Sequence, residues 1–211
     1  MIEWAVGTSG ELLLLAPVRG VAAEVAPLLA RLDAFAPDSI GLGISPDELA
    51  GLVEHFVDRP AEPLVSLTGT ETAEVRGLGR YGEVRVPNPS LLGVVSWAKA
   101  RGTPVTGLDP SDATYADLFS EHISYFELVR RTLRERRLTR EPPAPATPDQ
   151  FAERWHRTIS HGRGSKKFDQ ARDAEFVEGA RALRAGARRV ALVVDRERFD
   201  GVLAGLAGRS T

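Results

Sequence analysis

The chain alternates short apolar runs with longer segments in which apolar residues recur every three or four positions. The short runs are typical of buried strands, and they lie near Ile2, Leu13, Ile40, Val65, Val105 and Leu192. The longer segments are typical of amphipathic helices, and the first carries Val21, Val25, Leu28, Leu29, Leu32 and Phe35 on one face. Because strands alternate with helices, we predict an α/β fold with a mixed or mainly parallel sheet flanked by helices.

Turn and capping signals divide the chain further. Ser45-Pro46-Asp47-Glu48 offers a capping serine, a proline at the first helical position and a glutamate three residues after the cap. Asp109-Pro110-Ser111 opens a long predicted helix that ends near Leu138, and a proline-rich connector follows. We therefore predict a single domain over residues 1–211, with a helical insertion at about 111–165.

Composition excludes several classes of protein. The chain has no cysteine, so disulfides, cysteine-ligated zinc, iron–sulfur clusters and thiol catalysis are excluded. Its 27 Lys and Arg against 29 Asp and Glu give a net charge of -2, which provides no global reason to expect a nucleic-acid or anionic-membrane partner. The apolar runs are too short for a membrane span and no signal peptide is evident, so we expect a soluble, cytoplasmic protein.

Two local patterns have ordinary explanations. The histidines at 55, 122, 156 and 161 lack the i, i+4 spacing of a helical metal site, and we expect neither a metal nor a cofactor. Six arginines lie in residues 130–140, where they complement the negative end of a helix dipole. We interpret them as a solvated face, because no aromatic residues are interleaved with them.

Three positions remain open between a structural and a binding role. Asp109 follows a predicted strand, where ligands collect in open α/β sheets, but it could equally cap the next helix. Arg172-Asp173 could hold an anion or pair with neighbouring charges on a helix surface. The turn at residues 7–10 could offer backbone N–H groups to an anion or serve only as a turn.

Taken as an ordered set, the segments resemble the TraB family of the TraB, Tiki, GumN, ChaN and erythromycin-esterase-like superfamily. The resemblance rests on Gly7-Thr8 after the first strand, Gly107-Leu108-Asp109 after a later one, Arg172-Asp173 in the penultimate helix, and the closing residues 193–202. It implies an α/β domain. Relatives that act on substrates use two histidines, a glutamate and an arginine.

In this chain the resemblance places Gly10, Gly43 and Arg198 where those relatives have the first histidine, the glutamate and the closing histidine. Only the arginine, Arg172, is retained. An arginine is too firmly protonated to replace a metal ligand or a general base, so the resemblance implies a protein that lacks the inherited chemistry. The implied ligand-binding residues are Ser9, Gly10, Gly43, Arg172 and Arg198, with an anionic small molecule as the partner.

Three classes of function remain. A non-catalytic binding or regulatory protein is our leading hypothesis. A hydrolase or transferase with relocated residues would use Asp109, Glu48, Arg172 and Asp173. A structural or interaction module built on the helical middle is the third, and the sequence leaves a homo-oligomer open. We further predict that Arg172 and Arg198 approach one another at the carboxyl edge of the sheet and form an anion-accepting site with the turn at residues 7–10, where they need a carboxylate or a bound anion between them.

Overall fold

A five-stranded sheet forms the centre of the molecule. The computed structural model describes residues 2–6, 11–58 and 67–208. The strands are β1 (Ile2–Val6), β2 (Glu11–Ala16), β3 (Ser39–Leu42), β4 (Val105–Gly107) and β5 (Arg189–Val193). Their order is β1-β2-β5-β3-β4; β1 is antiparallel to β2, and every other pair is parallel. The predicted α/β fold with a mixed, mainly parallel sheet is confirmed.

Nine α-helices accompany the sheet in the described ranges. They are α1 (Val25–Phe35), α2 (Pro46–Leu52), α3 (Gly69–Leu78), α4 (Pro89–Arg101), α5 (Asp112–His122), α6 (Tyr125–Arg140), α7 (Pro148–Ile159), α8 (Arg163–Gly186) and α9 (Phe199–Leu206). A π-helical turn, Val53–Val57, continues α2, and short 3₁₀ turns precede α1 and α9. Within these ranges, no helix combines the length and the apolarity needed to cross a membrane.

Side chains alternate along each strand, so successive residues face opposite sides of the sheet. Helices cover both sides and bury both sets of side chains. Leu13 and Leu15 of β2 face a core completed by α1, α2 and α4, whereas Leu12 and Leu14 face α8 and α9. A third cluster joins α3, α6 and α7 around Phe151. This helical cluster includes Val18, which directly follows β2, so the helical section packs beside the carboxyl end of that strand.

The structure corrects two boundaries. The predicted helix over residues 110–138 is wrong as one element: it consists of α5 and α6, and Ser124 caps the second by accepting from the Glu127 N–H at 3.3 Å. Glycines at 69, 77, 79 and 82 predict an irregular stretch after residue 67, but the structure has a regular helix there, α3, whose start is a capping box formed by Thr68 and Glu71. The strand predicted near Val65 lies outside the described residues.

Candidate functional site

The carboxyl ends of the parallel strands meet at one edge of the sheet. Arg19 follows β2, Gly43 follows β3, Asp109 follows β4 and Asp195 follows β5. Backbone hydrogen bonds extend the pairing past the strands: Asp109 N donates to the Ile44 carbonyl at 3.1 Å. These loops are therefore held at the sheet edge where open α/β folds place their ligands.

A cavity of about 320 Å³ opens at this edge. All four of the strand-end residues line it, together with Glu48 of α2, residues of α3, the loop before α4, and Arg172 of α8. The volume corresponds to about ten water molecules at roughly 30 Å³ each, so the cavity has the size of a small polar molecule.

Asp109 joins two arginines in the wall of this cavity. Arg172 Nη2 donates to one carboxylate oxygen of Asp109, and Arg198 Nη1 donates to the other at 2.5 Å. Arg198 Nε also donates to Asp173 at 2.9 Å. We call these four residues the Asp109 bridge. The predicted approach of Arg172 and Arg198 is confirmed, and the carboxylate between them is internal.

The Asp109 bridge is buried, most completely at Asp109 and Arg198, which are 9% and 8% exposed. Burial opposes the charge on Arg198, but the carboxylates of Asp109 and Asp173 outweigh burial and hold its pKa above the ordinary value. Arg172 is 23% exposed at its side chain and lies against the rings of Tyr115 and Phe168. Both guanidinium groups are thus engaged within the chain.

These contacts exclude two of the structural alternatives, the Asp109 cap and the pairing of Arg172 along its own helix. Ser111, and not Asp109, caps α5: its Oγ accepts from the Thr114 N–H. Arg172 does not pair with its helix neighbours, since it binds Asp109, and Asp169 binds His156 at 3.1 Å. Asp109, which follows β4, therefore binds Arg172 and Arg198 and does not cap a helix.

Gly43 lies beside the Asp109 bridge, but it does not leave space for a ligand. A Cβ atom there would lie 3.3 Å from Val194 Cα and 3.5 Å from Arg198 Nη1. The room created by the missing side chain is filled by this chain's own arginine. Of the remaining candidates, Glu48 lines the cavity without joining the bridge, and Ser9, Gly10 and the rest of the 7–10 turn lie outside the described residues.

Arg19 is a cavity residue that the sequence analysis missed. Many groups of the cavity wall lie around it, but its side chain remains accessible to solvent, and none of the ion pairs among the described residues includes it. Its pKa is raised chiefly by the charge of Asp195, against the effect of burial, with further contributions from Glu74, Glu197 and Glu48. Arg19 and Asp195 both follow predicted strands, so the rule that singled out Asp109 could have found them.

Three glutamates around Arg19 hold their protons more tightly than usual. Burial raises the pKa of Glu48 and of Glu74, and Arg19 only partly offsets it. Burial, reinforced by Asp195, raises the pKa of Glu197 to about 7. We call Glu48, Glu74, Asp195 and Glu197 the acidic ring. One guanidinium does not neutralise the four carboxyl groups of this ring.

The cavity as a whole has more acidic than basic groups. Its described lining contains Glu48, Glu71, Glu74, Asp109 and Asp195 against Arg19, Arg85 and Arg172. Arg85 is bound by Glu83, and Arg172 by Asp109. Asn88 adds a buried amide nitrogen that has no partner among the described residues. No cluster of metal-ligating side chains occurs in the part of the chain that the structure describes.

Comparison with protein-family models gave no match for this chain, and comparison with curated proteins gave none either.

Proposed function

We propose that this chain is a small-molecule-binding protein that takes a polar ligand with a positively charged group, such as an amine, into the cavity at the sheet edge. One observation carries the proposal: five carboxyl groups line the described part of the cavity, and Arg19 is the one lining arginine that has no ion pair with a described residue. Confined carboxylates repel one another, and a cation between them lowers that repulsion.

The Asp109 bridge argues against the anion expected from the sequence. Arg172 and Arg198 were the groups that should receive it, and both are bonded to carboxylates of the chain. An incoming anion would compete with Asp109 for them and would face the acidic ring. The bridge is better understood as part of the wall that shapes the cavity.

We propose further that the chain is a divergent TraB-like protein. The support is spatial: Gly43, Arg172 and Arg198, which the resemblance assigns to one site, lie together beside the cavity. None of the three supplies a general base, so the leading form of the proposal is a binding or regulatory role without catalysis.

A hydrolase or transferase is the second candidate, and the raised pKa of Glu48 favours it. A cavity carboxyl group that titrates nearer neutrality can exchange protons with a substrate, and Asp109 and Arg172 line the same cavity. In that case Glu48→Gln abolishes turnover even at ligand concentrations that saturate the cavity, as mass spectrometry of a cell extract incubated with each protein would reveal.

The binding proposal is tested with three four-carbon probes that differ in charge: putrescine, 4-aminobutyrate and succinate. We expect putrescine to raise the melting temperature most and succinate least. A ligand at 100 times its Kd adds about 2.7 kcal/mol of stability, which corresponds to roughly 5–10 °C for a chain of this size.

Two variants localise the effect. Glu74→Gln removes one carboxylate of the acidic ring and should reduce the putrescine shift. Glu178→Gln makes the same change on an exposed face of α8, outside the cavity lining, and should not. Equal shifts from putrescine and succinate, or no shift from either, would overturn the proposal.

A further inference from the structure

The outer face of α6 is apolar at its beginning. Tyr125 and Phe126 are 75% and 76% exposed, Leu133 is 59% exposed, and Leu128 and Val129 are each 42% exposed. Five of the seven large apolar side chains that are exposed in the described ranges thus belong to this one helix. At about 100° per residue, Tyr125, Val129 and Leu133 fall within about 80° of one another and form a stripe. We call these five residues the α6 patch.

The opposite side of α6 already has its partners within the chain. Glu127 accepts from the Ser165 N–H at 2.9 Å, Arg134 donates to the Ile159 carbonyl at 3.3 Å, and Leu138 is buried in the third core cluster. The helix is therefore fixed in orientation, and the α6 patch faces outward. An apolar patch of several hundred Å² is larger than an isolated surface residue needs and typically marks an interaction site.

Charge is separated along the same surface. Arg136, Arg137 and Arg140 are exposed at the end of α6, beyond the patch, and Arg130 lies within its span. On the other side of the patch, α5 ends with Asp117 and Glu121 exposed. None of these six charged side chains has an ion pair with a described residue.

We propose that the α6 patch is the interface of a two-fold symmetric homodimer, in which α6 of one copy packs antiparallel against α6 of its partner. With the axis near Val129, Tyr125 of each copy meets Leu133 of the other. The basic end of each helix then extends past the start of the partner's helix, toward the acidic end of its α5. A parallel arrangement would instead place the two arginine clusters against each other.

The buried area is sufficient for such a dimer. Two aromatic and three aliphatic side chains, exposed to the stated fractions, offer roughly 500 Å² per copy. Complete burial of the α6 patch in both copies would remove at most roughly 1,000 Å² of apolar surface from water, before the charged rim is counted, which is the lower limit for a specific interface. The antiparallel, self-complementary arrangement is also the one that closes after two copies, so it does not propagate into a fibre.

The test is the molar mass of the full chain by light scattering over a concentration series. We expect the mass of the wild type to approach twice 22.8 kDa as concentration rises. Phe126→Glu and Leu133→Glu each place a charge inside the patch and should weaken association by at least about tenfold. Because both side chains are exposed in the single chain, these variants should fold normally. Ala174→Glu, on an exposed position of α8, is the matched control and should associate like the wild type.

The charged rim tests the antiparallel geometry separately. Arg137→Glu should weaken the dimer, and adding Glu121→Arg should restore part of the loss, since the exchange recreates opposite charges across the two-fold axis. A wild type that stays monomeric at high concentration, or a dimer that Phe126→Glu and Leu133→Glu leave intact, would overturn the proposal. A monomeric wild type would assign the α6 patch to a different partner.

Discussion

Replacing Asp109 with asparagine should destabilise the fold strongly. The substitution keeps the shape of the side chain but removes the negative charge shared by Arg172 and Arg198. Arg198 is 8% exposed, so it would keep only Asp173 as a carboxylate partner in a poorly solvated site. Removing one member of a buried ion pair costs about 3–5 kcal/mol, because the charge left behind is uncompensated.

The lower end of that range applies because Asp173 remains bound to Arg198. We therefore expect a loss of about 3 kcal/mol in the free energy of unfolding, and a decrease of roughly 10 °C in melting temperature. Urea unfolding followed by circular dichroism measures the first quantity directly. The m-value reports the surface exposed on unfolding. An m-value equal to that of the wild type would show that the substitution lowers stability without changing the compactness of the unfolded chain.

Asp33 supplies a matched control for this experiment. It also accepts from two groups, Trp97 Nε1 at 2.8 Å and Arg101 Nη2 at 2.6 Å, but its side chain is 52% exposed. Solvent screens such a pair, so Asp33→Asn should cost about 1 kcal/mol or less. If Asp109→Asn costs no more than Asp33→Asn, the Asp109 bridge does not stabilise the fold and our reasoning fails.

Two further predictions concern the same edge of the sheet. Gly43→Ala should lower the free energy of unfolding in urea by about 1 kcal/mol, because its Cβ would lie only 3.3 Å from Cα and Cγ1 of Val194; an alanine that leaves stability unchanged would contradict this packing. Glu197, whose pKa is raised from 4.5 to about 7, binds its proton more tightly in the folded state than in the unfolded state. The free energy of unfolding of the wild type should therefore decrease as the pH rises from about 4.5 to 7, by up to roughly 3 kcal/mol. His156 contributes a loss of the same sign, because its pKa is also raised: burial acts against the shift, but the hydrogen bond and charge of Asp169 outweigh it. When the free energy of unfolding is measured across this pH range, it should decrease less for Glu197→Gln than for the wild type. If the two proteins show the same pH dependence, Glu197 is not the group responsible.

The sheet was largely predictable because its signals are local. Five of the six predicted strands correspond to described strands, and Ser45 caps α2 as its motif indicates, accepting from the Glu48 N–H at 3.0 Å. The break between α5 and α6 was missed although Ser124 and Glu127 have the spacing of a capping box. In the structure Glu127 binds Ser165 instead of closing that box.

The candidate site was predictable only where position in the chain implied position in space. Asp109 was identified because it ends a strand. Glu74 lines the cavity because it lies on α3, and glycines at 69, 77 and 79 weaken the helical signal of that segment in the sequence. The raised pKa values of the acidic ring arise from burial and from groups brought together by the fold, so no spacing along the chain encodes them.

The position of β5 constrains how the protein can fold during synthesis. This strand is made after residue 188, yet it pairs with β2 on one side and with β3 on the other. Until it leaves the ribosome, β2 and β3 each have an open edge and the central sheet cannot close. The nascent chain therefore exposes the unpaired edges of two apolar strands until residues 189–193 have been made. A protein built in this order depends on rapid pairing once β5 emerges, or on chaperones that shield those edges in the meantime.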